Sequence, residues 1–211
     1  MDQNIYTRNE LLAQKVIKGL ESRNMSGYYA KTKEEALQKA LELIPEGSSI
    51  GWGGSASIAE IGLKDAVCNG NYTVYNRDTC LPEEKRQTEL KIFGGDYFLC
   101  SSNAVTEDGI LINIDGNSNR VAAIAYGPQH VVMIVGMNKI AKDENAALLR
   151  ARNIAAPSNA QRFPIDTPCK KTGSCVNCLS KDTICCEFLI TRYSRHAGRF
   201  HIILVNEDLG Y

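Results

Sequence analysis

Short apolar runs alternate with helical hydrophobic periods along most of this chain, and that alternation restricts the fold more than any other feature. Apolar runs occupy 27–30, 49–52, 72–75, 97–100, 110–114, 130–135, 188–193 and 201–205. Thr7-Arg8-Asn9-Glu10 reads as a capping box for a helix whose face is Leu11, Leu12, Val16, Ile17 and Leu20. Thr32 caps a second, with Ala36, Leu37, Ala40, Leu41 and Ile44 on one side and Pro45 beyond its end. Further helical spans are 58–67, 82–93 and 143–155, the last closed by Pro157. HVVMIV at 130–135 lacks the alternation of a half-exposed strand and reads as buried on both faces. Strand, helix, strand in repeated order predicts an α/β fold built on a mostly parallel sheet with helices on both faces.

The chain of 211 residues is expected to form a single domain, 1–211, with no division into equal halves. Lysine plus arginine equals aspartate plus glutamate, 24 each, so no global field draws it to nucleic acid or an anionic membrane. The polar N-terminus MDQNIYTRNELLAQ carries no secretory core, and no apolar run reaches spanning length, so no membrane insertion and a cytoplasmic location are expected. The sequence is compatible with a homo-oligomer.

After Pro157 the composition changes. SNAQRFPIDTPCKKTGSCVNCLSKD has two further prolines and no helical period, so 157–187 is expected to be a cysteine-rich loop insertion between elements of the domain. Cys169, Cys175, Cys178 and Cys185 are spaced C-x5-C-x2-C-x6-C. A reducing cytosol keeps thiols unpaired, which directs such a cluster toward metal rather than disulfides. Four thiolates suit either structural zinc or an iron-sulfur cluster, and the metal would order a loop that lacks apolar surface of its own. Cys186 adjoins Cys185, and strand neighbours face opposite ways, so one of the two is the fourth ligand; Cys185 is chosen. The competing reading is of ordinary free cysteines, which is the one applied to the scattered Cys68, Cys80 and Cys100.

Two polar turns follow predicted strands, where open α/β sheets carry their ligands. In IGWGGSASIAEIGL, Gly53, Gly54, Ser55 and Ser57 form either an anion cradle of exposed backbone N–H groups or a tight connection with no ligand. Glu60, in the first turns of the following helix, is a catalytic candidate if it lines the cleft and otherwise a dipole-stabilising surface carboxylate. In SSNAVTEDGILINIDGNSNR, Asn103, Asn119 and Arg120 are candidate contacts for a small anionic substrate. Glu107 and Asp108 are candidate general bases or nucleophiles, or members of a hairpin turn at Asp108-Gly109. DGNSNR is no calcium loop, because Arg120 and Tyr126 stand where glycine and a bidentate glutamate are required. Arg192, Arg195, His196 and Arg199 in RYSRHAGRF read as a solvated basic loop in preference to an anion contact.

GWGGSASIAEIGL, SSNAVTEDGILINIDGNSNRVAAIAYGP, TPCKKTGSCVNCLSKDTIC and VNEDLGY together make the chain resemble the lactate-utilisation (LUD) domain family, LutC-type, and specifically its short stand-alone members with a cysteine-rich segment. The resemblance implies a Rossmann-like parallel sheet of the deaminase, isomerase and CoA-transferase group. It implies a part in oxidation of L-lactate to pyruvate beside iron-sulfur protein partners, although the C-x2-C-x2-C-x3-C-P run of ferredoxin-bearing relatives is missing. The CoA-transferase relatives often place a catalytic glutamate in a turn that Thr106-Glu107-Asp108-Gly109 approximates, which makes Glu107 the candidate under an alternative acid-base or acyl-transfer reading on a sugar phosphate or CoA ester. A third alternative is a non-catalytic metal-binding or redox-sensing module.

Overall fold

The computed structural model describes residues 2–211. The first half runs α1 (Gln3–Ser22), β1 (Ser26–Ala30), α2 (Lys33–Glu42), β2 (Ser49–Trp52), α3 (Ala56–Glu60), α4 (Leu63–Asn69), β3 (Thr73–Tyr75), α5 (Lys85–Phe93) and β4 (Tyr97–Cys100). It continues through β5 (Ala104–Thr106), β6 (Leu111–Asp115), α6 (Asn119–Ala125), β7 (His130–Gly136), β8 (Ile140–Ala141) and α7 (Glu144–Arg150). α8 (Ala156–Ala160), α9 (Pro168–Thr172), β9 (Glu187–Thr191) and β10 (Phe200–Val205) complete it.

Six strands form a wholly parallel sheet in the order β1-β10-β7-β4-β2-β3. Its side chains divide with a period of two, as alternation across a strand requires. Val131, Met133 and Val135 join Phe98, Cys100, Ile202 and Leu204 on the face covered by α1, α5 and α6. Val132 and Ile134 join Leu99, Ile203 and Val205 on the face covered by α2, α3 and α4. Both faces are sealed, which explains the unbroken apolar run of β7. The expected Rossmann-like architecture is therefore present.

The strand at 110–114 and the one after the cysteine segment belong to a second sheet, ordered β8-β5-β6-β9, in which β6 pairs antiparallel with both β5 and β9. One face of this sheet, through Val105 and Leu111, packs into the main core; the other, through Ala104, Ile110, Ile112 and Ile114, packs on α7. Three-residue β5 and two-residue β8 are too short to show a period, so of this sheet the sequence announces only the runs that become β6 and β9. Thr106-Glu107-Asp108-Gly109 is its hairpin turn, with Gly109 at φ +89° and its N–H donated to the Thr106 carbonyl at 2.9 Å.

Several local expectations are corrected. The first helix is capped by Asp2, whose carboxylate accepts from Asn4 N, and Thr7 lies inside it, donating its hydroxyl to the Gln3 carbonyl. That places the buried stripe on Ala13, Val16 and Leu20, with Leu11 in solvent. The span 58–67 is two helices, because Gly62 at φ +74° interrupts the ladder between α3 and α4. Pro157 does not end its helix. Residues Ala151–Ala155 form a π turn, and the helical backbone continues from it through Pro157 into α8. Arg199 is not solvated: it is 8% exposed and donates to the carbonyls of Ile124 and Ala123 at the end of α6, at 2.6 and 3.1 Å. Arg192, Arg195 and His196 do face solvent. Among the described residues no helix is long and apolar enough to cross a membrane.

Candidate functional site

Parallel register brings the carboxyl ends of β2, β4, β7 and β10 to one edge of the main sheet. The chain leaves β2 outward to β3 but returns to β4 and then runs through β7 and β10, so the connections diverge between β2 and β4. Such a switch point opens a crevice at the carboxyl ends of the strands.

Lys139 lies in the turn that follows β7. It is 3% exposed, and its Nζ donates to Ser57 Oγ at 2.9 Å and Ser101 Oγ at 3.0 Å, hydroxyls from the first turn of α3, which follows β2, and from the turn after β4. Among the described residues no carboxylate pairs with it. Burial, and after it the charge of Arg150, lowers its pKa from 10.5 to about 7, while Glu60 acts in the opposite direction. An amine so placed exchanges a proton near neutral pH. Glu60 accepts from Gly210 N at 3.1 Å, tying α3 to the segment after β10. A Cβ on Gly210 would stand 2.8 Å from Ser57 Oγ and 3.3 Å from Lys139 Nζ, so this segment roofs the amine.

Arg120 enters from the first turn of α6, where Asp115 holds the backbone N–H groups of Arg120 and Val121 at 2.9 and 3.0 Å. Its guanidinium donates to Asn113 Oδ1 at 2.7 Å, Asn103 Oδ1 at 3.1 Å and the Ile114 carbonyl at 2.6 Å. These partners are neutral, so the guanidinium keeps its charge uncompensated. Asn113 is fully buried, and its amide nitrogen has no partner among the described residues. Turning the amide over would set its NH2 against the guanidinium, so the spare donor is a consequence of the Arg120 contact. Gly53 lets Arg120 approach the backbone closely, since a Cβ would stand 3.0 Å from Arg120 Cγ and Cδ and 3.2 Å from Phe98 Cζ. Arg150, with its pKa lowered by burial, donates to the Asn138 carbonyl at 2.9 Å and to the Asn103 carbonyl.

The structure thus gathers Gly53, Asn103 and Arg120 into contact and sets Ser57 on Lys139, with Glu60 close by. Asn119 donates to Glu89 Oε1 at 2.8 Å and lines a cleft of about 650 Å³ beside Arg120. Gly54 faces open space, and Ser55 Oγ caps α3 through Ile58 N at 3.4 Å. Glu107 stands elsewhere, on the hairpin, its carboxylate bonded to Lys15 and Lys142, which lower its pKa. It shares no partner with Lys139 or Arg120. Lys139, Ser101, Asn113 and Arg150 escaped the sequence reading. Ser101 was nevertheless signalled by position, directly after the apolar strand β4.

In the cysteine segment all thiols are free. Cys175 Sγ accepts from Asn177 N at 3.4 Å and Arg152 Nη2 at 3.6 Å. Hydrogen bonds from Ser180 hold the Cys178 thiol below the usual range. Cys169 lies in α9 with Thr167 Oγ1 at 3.4 Å. Cys185 packs against the second sheet. Its pKa is pushed up to about 11 by burial, then by Cys175, Cys169, Cys178 and Cys186, whose sulfurs therefore lie within electrostatic reach. Cys186 is exposed, its backbone N–H on the Asp115 carbonyl at 2.8 Å. Among the described residues no three histidine, cysteine, aspartate or glutamate side chains are already arranged as a metal site.

The chain is similar to a DUF162 family protein from Deinococcus radiodurans of known crystal structure, at 12% identity and a TM-score of 0.53, covering 93% of this chain and 97% of that one. That likeness concerns the fold. No curated protein gives a significant match. The LUD domain family profile matches residues 13–205, a span that includes both strand-end turns, Lys139 and the cysteine segment, and the chain belongs to the LUD domain family.

Proposed function

We propose that this protein serves lactate utilisation by holding a small 2-hydroxy or 2-oxo carboxylate at the crevice between β2, β4 and β7, beside iron-sulfur protein partners. The observation that carries this reading is the Lys139 amine, buried between Ser57 and Ser101 and forming no ion pair with a carboxylate among the described residues. Arg120 and the spare Asn113 donor supply further groups for an anion. Gly53, Gly54, Ser55, Asn103 and Asn119 form the surroundings. Oxidation of lactate to pyruvate releases two electrons and two protons. On this reading the chain positions the acid and Lys139 takes up one of the two protons, the other passing to solvent, while an iron-sulfur partner would supply the acceptor for both electrons. The test is lactate binding and lactate-dependent acceptor reduction by the purified chain, alone and with such partners. Saturable lactate binding supports the reading; neither binding nor support of oxidation ends it.

The same proposal treats 157–187 as an insertion within one domain, pinned by a metal on Cys169, Cys175, Cys178 and Cys185. Support comes from the Asn177 N–H on Cys175, the Ser180 hydrogen bonds to Cys178, and the electrostatic reach of the other cysteines to Cys185. A soft, all-thiolate donor set fits zinc or an iron-sulfur cluster, and bound metal would order the segment. Metal and sulfide analysis of anaerobically purified protein separates the two, and a metal-free, folded sample with reduced thiols contradicts both. The acid-base reading on Glu107 is the weaker one, since two lysines hold that carboxylate as a stable anion.

A further inference from the structure

The cleft of about 650 Å³ lies beyond Gly53 and Arg120, between α5, the loop after β3 and the start of α6. It is far larger than a three-carbon acid needs and matches the size of a nucleotide-scale site. Its wall carries four cations, Arg77, Lys85, Arg86 and Arg120, against one carboxylate, Glu89. That carboxylate is already engaged, by Arg77 at 3.3 Å and by the Asn119 amide at 2.8 Å. Lys85 and Arg86 have no hydrogen-bond or ion-pair partner among the described residues. In a chain whose charges cancel, this is a marked local excess, and two of its members are structural rather than rim groups. The Arg77 side chain is 16% exposed, and Arg120 is held in the network above.

The remaining wall is apolar: Ile92, Phe93 and Phe98 form the floor, and Leu90 stands half in solvent at its edge. A cationic rim over an apolar floor suits a ligand with several negative charges at one end and an organic ring at the other.

We propose that this cleft binds a multiply charged organic phosphate, as a ligand separate from the small carboxylate at Lys139. The inference goes beyond the carboxylate reading and stands if that reading fails, because it concerns different side chains apart from the shared Arg120. Lys85 and Arg86 are exposed, so reversing their charge leaves the core intact.

The test is calorimetric titration of the full chain with ADP, with inorganic pyrophosphate and, separately, with lactate, at low ionic strength. Lys85→Glu/Arg86→Glu and the remote control Lys181→Glu are measured beside the wild type. The expected result is saturable ADP binding, tighter than that of pyrophosphate. It should weaken by about tenfold or more in the double variant through loss of charge-assisted contacts and stay unchanged in Lys181→Glu. Pyrophosphate bound more tightly than ADP, no saturable binding of either, or equal affinity in the double variant overturns the proposal. Lactate binding lost in Lys139→Met with ADP binding retained locates each ligand, so failure of one reading is distinguishable from failure of the other.

Discussion

Lys139 and Ser57, 82 positions apart in the chain, meet at 2.9 Å in a space that also receives Ser101 and is closed by Gly210. Strands β2, β4 and β7 deliver the three polar residues because parallel pairing ends them at one level. A buried amine without a counter-ion is costly to the fold, and this one lies where the topology opens a crevice.

The cost is measurable. Lys139 titrates at about 7 in the fold against 10.5 ordinarily. Between those values the unfolded chain binds the extra proton, so stability rises with pH through that interval, and below about 7 the full penalty is present. Lys139→Met is expected to stabilise the protein at pH 7, by on the order of 2–4 kcal/mol. It should also remove the rise between pH 7 and 8.5. Urea unfolding of both proteins across that range checks this; above it, the raised pKa values of Cys100 and Cys185 work in the opposite direction.

Gly53→Ala should displace Arg120 and Phe98, whose atoms stand 3.0 and 3.2 Å from the new Cβ. The expected stability loss is about 1–3 kcal/mol, accompanied by weaker anion binding. Gly54→Ala, where nothing lies within 4 Å, should cost much less. Denaturant midpoints and ligand titrations of the pair separate close packing from general backbone effects.

Arg199→Met removes two charge-assisted bonds to the last carbonyls of α6, at 2.6 and 3.1 Å. About 2–4 kcal/mol of stability should be lost. Amide exchange should quicken at the end of α6 before it does in α2.

His201 has its pKa lowered by burial and then by His130, whose ring lies 5.8 Å away. The unfolded chain therefore takes up a proton first as pH falls below about 6.5, and stability declines there. His201→Phe should reduce the loss between pH 7 and 5, as read by thermal or urea unfolding, although the Tyr28 hydroxyl contact at 3.1 Å goes with it.

The main sheet was legible in the sequence because each strand and each amphipathic helix buries its own periodic face, as at β7 and α2. The second sheet was legible only as the strands β6 and β9, since β5 and β8 acquire their partners only through the hairpin and the turn after β7. Among the candidate residues, Gly53, Asn103 and Arg120 announced themselves as dense polar turns after strands, and the structure brings their side chains and backbone together. A single lysine in GMNKI carries no local pattern. Its significance arises from two serines on other loops. Arg199 misled for a related reason: its neighbours face water, and only the placement of α6 supplies the carbonyls that bury it. Pro157 read as a stop because the π turn before it has no signature in composition.

The ionisation of Lys139, followed by nuclear magnetic resonance of its side chain with and without pyruvate or lactate, bears most directly on the account. A midpoint near 7 in the free protein that rises when either acid is added is the predicted result, because a bound carboxylate favours the charged amine. A midpoint near that of an exposed lysine, or one that neither acid moves, contradicts it.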